Sequence, residues 1–478
     1  MDFVNRMYVH GEWVDGEDGQ TLPIVDPATE ELIGTVPRAT AGDVARALES
    51  TAAGFAVWRE VDAWTRSRTL RRMSDYLREH LEEITAALTA EQGKPLGEAR
   101  AETIATVDHF EWFGEEAKRI YGRTIDGHSR GQRLLVLRQP IGPVAAFSPW
   151  NFPLMLAARK VAPALAAGCS VILKPPREAP RSALWLARAG AAAGLPPGAL
   201  NIVTGDAGPL AAQLIASPVI RKISLTGSVP VGQELMRLCA EQVKPLTLEL
   251  GGHSPVLVFA DADVEQAAEL CARAKFRNCG QVCISASRFY VEESVADRFR
   301  DRFVAVARGL RVGDGRRPDT DVGPLANPRR VAAAEHLVRD ALDKGARLLC
   351  GGGRPAGLTR GFFFEPTVID GVDSRMAVMV DEPFGPVAPI ATFTDLADGL
   401  QQANATQFGL AGYLFTTSTR TAFLAAEGLD VGMVGVNTLL LSTPEAPFGG
   451  VKRSGFGREG GTEWIDAYTA AKYLNISL

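Results

Sequence analysis

Cysteine, histidine and aromatic residues are all scarce in this 478-residue sequence, which carries 6 Cys and 6 His and is 7% aromatic. The cysteines are Cys169, Cys239, Cys271, Cys279, Cys283 and Cys350. No two form a Cys-x-x-Cys pair or share Cys/His zinc spacing, so no metal site is expected. Long apolar runs are missing too. The best candidate, from Met155 to Leu173, is interrupted by Arg159 and Lys160, so no membrane span is expected. The opening Met-Asp-Phe-Val-Asn-Arg lacks a basic segment followed by an apolar run, and no secretory leader is expected. Unpaired thiols then fit a reducing cytoplasm. Basic excess is absent as well: the net charge is −5, with Lys and Arg spread along the chain, which argues against nucleic acid as the main partner.

What is present is length, and a change of texture near residue 144. A chain of 478 residues has apolar surface for two or three domains. Residues 7 to 37 read as short strands broken by turns, and 41 to 59 as a helix capped by Thr40 or Asp43. Residues 64 to 91 read as one helix, with Leu70, Met73, Leu77, Leu81, Ile84 and Leu88 on its apolar face. From Val144 onward strands alternate with helices: 144–148, 155–167, 171–174, 182–193, 202–203, 210–215, 222–225, 231–239 and 246–250. The same alternation continues through 256–310, with a helix at 328–345 and strands at 362–368, 387–393 and 471–476. That pattern predicts an α/β fold with parallel sheets covered on both faces, the usual home of a nucleotide cofactor.

Five stretches carry candidate chemistry. Cys283, in Gly280-Gln281-Val282-Cys283, follows a Gly among small and polar residues, which suits a thiolate nucleophile; a buried inert thiol is the plain structural alternative. Asn151, in Pro149-Trp150-Asn151-Phe152-Pro153, follows a strand and offers an amide donor to an oxyanion, or is a turn residue. Glu249, before Leu250-Gly251-Gly252, suits a general base for water, or a salt-bridged strand end. Thr226-Gly227-Ser228 precedes a helix whose N-terminus suits a phosphate, although its glycine spacing is not the dinucleotide fingerprint. Glu382-Pro383-Phe384-Gly385-Pro386 offers a carboxylate for ribose hydroxyls and a ring for a nicotinamide, or is an ordinary loop with a core Phe.

These motifs, with Lys174-Pro175 and Pro447-Phe448-Gly449-Gly450, fall in one order. In that order the chain resembles the aldehyde dehydrogenase superfamily from about Met7 to the C-terminus. The resemblance implies an aldehyde dehydrogenase-like fold: a Rossmann-type cofactor domain (1–122 and 142–252), an α/β catalytic domain (253–440) and a small oligomerisation element (123–141 and 460–478). It implies a homodimer or homotetramer acting on a small aldehyde. Carried over by position, Cys283 is the nucleophile, Asn151 and the Cys283 backbone N–H form the oxyanion hole, and Glu249 activates the deacylating water. Trp150, Lys174, Gly227, Ser228, Leu250, Glu382 and Phe384 match cofactor contacts. Three residues after Lys174, where NAD-preferring members commonly carry Glu, stands Arg177, with Glu178 one step late. An Arg attracts a 2′-phosphate that a Glu repels, so the reading favours NADP over NAD.

Within the superfamily the nearest resemblance is to the succinate-semialdehyde and 2-oxoglutarate-semialdehyde dehydrogenases. It is carried by Ala274-Lys275-Phe276-Arg277-Asn278, by Gly323-Pro324-Leu325-Ala326-Asn327-Pro328, and by Glu111 to Gly122. Arg159, Arg277 and Ser442 match positions that bind a distal substrate carboxylate, where an Arg fork accepts both oxygens. The implied activity is NAD(P)-dependent oxidation of succinate semialdehyde through a Cys thiohemiacetal and thioester. The alternatives are 2-oxoglutarate semialdehyde, a neutral aliphatic or aromatic aldehyde, a catalytically silent scaffold on this fold, or a thiol hydrolase using His253. Ser285 stands where some relatives carry a second Cys that forms a redox-switch disulfide, so that switch is absent.

Overall fold

A computed structural model describes residues 5–477; residues 1–4, part of the segment read above for a leader, and residue 478 lie outside it. Its first sheet has eight strands. Five are parallel and stand side by side in the order Leu246–Glu249, Lys222–Thr226, Val144–Phe147, Val171–Lys174, Leu200–Ile202. The 144, 171 and 222 strands are buried along their whole length, as expected where helices cover both faces. The chain runs outward from Val144 through the 171 and 200 strands, then returns and builds 222 and 246 on the other side. The order therefore reverses between the Val144 and Lys222 strands. In open parallel sheets the carboxyl edge at such a reversal is a ligand crevice.

The second sheet has seven strands, ordered Arg347–Cys350, Thr367–Asp370, Val387–Phe393, Ala286–Glu292, Ser254–Val258, Ala411–Phe415, Met433–Val436. All pairs are parallel except the 347 edge. Its core includes Val256, Phe289, Phe299, Phe303, Ile390 and Leu414. A three-stranded antiparallel sheet joins Arg123–Asp126 and Gln132–Pro140 to the C-terminal strand Thr469–Ser477. The 123 strand is exposed throughout, and Ile125, Leu137 and Tyr473 leave much of their apolar surface open. Among the described residues no helix is long and apolar enough to cross a membrane.

Local chemistry explains where sequence patterns and structure part. The helix expected over 64–91 is two helices, Ala63–Glu79 and Leu81–Gln92. At the break, His80 Nδ1 lies 2.9 Å from the Tyr76 carbonyl and its ring stacks on Tyr76, so the side chain competes for the carbonyl that the helix uses. The strand expected from 362 begins only at Thr367, directly after Pro366, which has no N–H for the ladder. The helices Leu396–Asn404 and Thr419–Gly428 were not read from the sequence, although Asp395 and Ser418 cap them as N-terminal signals should.

Candidate active site

The helix Val264–Phe276 ends in a turn that no ordinary sequence tolerates. Asn278, Cys279 and Gly280 have φ of 48°, 54° and 72°. Asn and Gly suit that region; Cys279 is strained there and is held by its neighbours. Gln92 Nε2 donates to Asn278 Oδ1 at 3.0 Å, Asn278 N–H donates to Glu98 at 2.7 Å, and Asn278 Nδ2 donates to the Asn151 carbonyl at 2.9 Å. Gly280 is required twice over, because a Cβ there would stand 2.2 Å from the Gly385 carbonyl oxygen. The turn delivers Cys283, half-buried, against the Glu249–Gly252 segment, where a Cβ on Gly252 would come within 2.6 Å of the Cys283 carbonyl oxygen. Tyr413 donates its hydroxyl to the next carbonyl, that of Ile284, at 2.6 Å.

The groups expected to work with Cys283 lie around its loop. Asn151 follows the Val144–Phe147 strand and donates Nδ2 to the Gln281 carbonyl at 3.0 Å, which ties its amide to the cysteine loop. Glu249 ends the Leu246–Glu249 strand, is buried, and has no hydrogen-bond partner on either carboxylate oxygen. Burial, with Glu459 adding to it, holds the Glu249 pKa well above the usual range, against Lys160 and Arg159. Such a carboxyl is poised to take a proton. Burial, together with Glu382 and Glu249, pushes the Cys283 thiol up to about 12, while Arg159 pulls the other way.

The residues matched to a cofactor gather at the carboxyl edge where the strand order reverses. Two hydroxyls there, Ser148 Oγ and Thr226 Oγ1, are buried without a hydrogen-bond partner, as expected of a crevice built for a polar ligand. Lys174 ends the neighbouring strand, and burial lowers its pKa. Gly227 and Ser228 lead into the helix Val229–Ala240, whose first turn is open at Ser228. That helix packs closely on Leu250, because a Cβ on Gly232 would meet the leucine at 2.7 Å. From the other sheet, Glu382 accepts the Gly252 N–H at 3.0 Å, and burial raises its pKa to about 7. Phe384 stands edge-on to Trp150, with centroids 5.4 Å apart. Arg330 pins the segment by donating to the Pro383 and Phe384 carbonyls at 2.5 and 3.1 Å. These residues fit a nicotinamide dinucleotide. Arg177 is exposed beyond Lys174, and Glu178 is engaged by Arg329 at 3.3 Å.

The three residues matched to a substrate carboxylate divide. Arg159 is buried, donates to Ser442 Oγ at 2.8 Å, and lies over the Phe448 ring at 4.3 Å. Its Nη1 is buried with no partner. Arg277 is exposed, 5.6 Å over the Phe152 ring. Sequence reasoning missed His109, which accepts from Arg159 Nε at 3.3 Å, and the buried Lys160–Glu459 pair at 2.6 Å. No local pattern marks either, since their partners lie 50 and 299 residues away. His253 is not a base for Cys283: Ser287 Oγ holds Nδ1 at 2.8 Å and the Val378 carbonyl holds Nε2 at 3.1 Å. Among the described residues no cluster of His, Cys, Asp or Glu is arranged to hold a metal ion.

A half-buried thiol beside an amide donor and an unpaired carboxyl, next to a dinucleotide crevice, defines a thiol-dependent NAD(P) oxidoreductase. The model of the aldehyde dehydrogenase family matches residues 13–474, and the chain belongs to that family. It is 44% identical over 476 residues to glutarate-semialdehyde dehydrogenase of Pseudomonas putida, covering 100% of this chain and 98% of the relative. It is 43% identical, with the same coverage, to succinate-semialdehyde dehydrogenase [NADP(+)] of Escherichia coli. The crystal structure of succinate-semialdehyde dehydrogenase from Burkholderia pseudomallei superposes with a TM-score of 0.97 at 44% identity, covering 99% of this chain and 98% of that one.

Two outcomes follow from this geometry. Gly280→Ala combines a disfavoured φ with a backbone clash, and lowers stability by at least about 2 kcal/mol, read as a fall in thermal midpoint. Iodoacetamide labels Cys283 before the fully buried Cys169, Cys271 and Cys279 in the native protein. Because the thiol sits at about 12 without cofactor, the labelling rate climbs steadily from pH 7 to 10; a plateau near pH 8, seen by peptide mass spectrometry, contradicts it.

Proposed function

We propose that this enzyme oxidises a short aldehyde bearing a distal carboxylate, with succinate semialdehyde as the leading substrate, using NADP in preference to NAD. Arg159 carries the reading. It is a buried guanidinium whose hydrogen-bond partners are neutral and whose Nη1 is unpaired, and it lies close enough to Cys283 and Glu249 to act on their charges. Glu459, Glu249 and Cys283 act on it through space, and a substrate carboxylate supplies the direct partner that Nη1 lacks. The names of the Pseudomonas putida and Escherichia coli relatives point the same way. Arg277, at the rim, adds positive charge where an acidic substrate approaches.

In this reading Cys283 Sγ, deprotonated, adds to the aldehyde carbon. The oxygen becomes an oxyanion that accepts from Asn151 Nδ2 and the Cys283 backbone N–H. Trp150, Lys174, Gly227, Ser228, Leu250, Glu382 and Phe384 would hold the dinucleotide, which when bound would supply the acceptor for the hydrogen and two electrons leaving that carbon. The acyl group remains as a thioester on Cys283. Glu249 takes a proton from water, the resulting hydroxide attacks the thioester carbon, and the thiolate leaves with release of the dicarboxylate. The raised pKa of Glu249 suits it to this step. Arg177 meets the 2′-phosphate of NADP, since Arg329 already occupies Glu178. Residues 1–122 and 142–252 serve as the cofactor domain and 253–440 as the catalytic domain. The three-stranded sheet, within 123–141 and 460–478, is where copies pair.

Steady-state rates with NAD and NADP, each with succinate semialdehyde, glutarate semialdehyde and butanal, test this directly; a higher kcat/KM for butanal removes the acidic-substrate reading. Glu249→Gln gives a burst of one reduced cofactor per site followed by turnover about 100-fold or more below wild type. Cys283→Ala gives neither burst nor turnover while still binding cofactor. Arg177→Glu raises the KM for NADP about tenfold or more and leaves that for NAD the lower of the two.

A further inference from the structure

Arg159 is held by a histidine whose tautomer the structure decides. His109 stands on the helix Leu96–Glu116 and is 1% exposed. Its Nδ1 lies 2.6 Å from the Ala105 carbonyl, one turn back on the same helix. A carbonyl only accepts, so Nδ1 carries the proton and Nε2 presents a lone pair. That lone pair faces Arg159 Nε at 3.3 Å. Ser442 Oγ takes Nη2 at 2.8 Å, and the Phe448 ring lies 4.3 Å from the guanidinium carbon. Three sides of the plane are thus fixed, and Nη1 is left buried and unpartnered.

The residue type at 109 matters because of what it does not do. An Asp or Glu would accept from Nε equally well but would neutralise the guanidinium and repel a second carboxylate. An apolar side chain would leave Nε–H buried and unpaired, and the plane would turn to find another acceptor. A neutral imidazole satisfies Nε and leaves the charge intact. Burial and Arg159 itself lower the His109 pKa to about 3, so the ring stays an acceptor at neutral pH.

We propose that His109 is the specificity-determining positioning residue of this site: it orients the Arg159 guanidinium through a neutral acceptor so that Nη1 and the undiminished positive charge are presented to the carboxylate of an acidic aldehyde. The inference rests on the reading that Arg159 meets that carboxylate. His109 itself does not touch the reacting atoms.

Four variants, His109→Phe, His109→Gln, His109→Glu and Arg159→Met, are compared by kcat and KM for succinate semialdehyde and butanal with saturating NADP. His109→Phe raises the KM for succinate semialdehyde about tenfold or more, with a smaller change in kcat, and lowers the acid-to-neutral ratio of kcat/KM by a similar factor. His109→Gln, whose Oε1 replaces the Nε2 lone pair, recovers most of that ratio. His109→Glu loses it again by neutralising Arg159, and does so even where the Phe variant folds poorly. An unchanged ratio in His109→Glu, or equal loss toward both aldehydes in His109→Phe, overturns the proposal. If Arg159→Met also leaves the ratio unchanged, the acidic-substrate reading falls with it; if Arg159→Met collapses the ratio and the His109 variants do not, only the role of His109 falls.

Discussion

A single buried ammonium organises the catalytic centre. Lys94 Nζ is fully enclosed, 2.5 Å from Glu102, 2.8 Å from the Asn151 carbonyl and 3.9 Å from the centre of the Phe152 ring. Glu102 uses its other oxygen to accept the N–H groups of Leu154 and Met155, at the head of the helix that carries Arg159 and Lys160. The same Asn151 carbonyl accepts from Asn278, in the left-handed turn before Cys283. One ion pair therefore sets the Asn151 backbone, the helix bearing the buried arginine, and the turn before Cys283. Breaking such a pair by removing one partner costs about 3–5 kcal/mol, because the other charge is left buried and alone. Here the loss would also uncouple three parts of one site.

Charge balance is the second constraint. Two carboxyls, Glu249 and Glu382, raise the Cys283 thiol, and burial raises all three groups together. Arg159 opposes this from one side. The Cys283 thiol is thus held in its protonated, quiet form, and the charges of a bound cofactor and substrate would alter the balance in which it sits. In the nearby Lys160–Glu459 pair, sealed from solvent, Glu459 raises the Glu249 carboxyl and Lys160 opposes it. Reactivity arises from this collective arrangement more than from any single side chain.

The residues of the candidate site stand out in the sequence by local pattern. Cys283, Asn151 and Glu249 stand in short motifs whose small or rigid neighbours, Gly280, Pro149 and Gly251-Gly252, meet local needs: positive φ, a turn, and close backbone approach. The family resemblance then joined motifs that spacing alone left ambiguous. His109 and Lys94 were not legible, since a His within a helical run and a Lys after a Gly look like ordinary surface residues until their partners are known. The break at His80 and the late start of the 367 strand were missed for a related reason. One side chain competing for a carbonyl, or one proline lacking an N–H, overrides a pattern averaged over many residues.

The sequence alone determined the alternation of strands and helices and the chemistry available at Cys283, Asn151 and Glu249, because each depends on residue type within a few positions, and it determined the family through the order of short motifs along the chain. Only the tertiary structure decided that Glu249 and Arg159 Nη1 are buried without partners, that Arg159 is buried while Arg277 is exposed, and that His109 must be neutral. Those properties belong to the low-dielectric space between elements well separated along the chain. Burial and charge there depend on everything packed around a group, and a linear pattern carries no record of that.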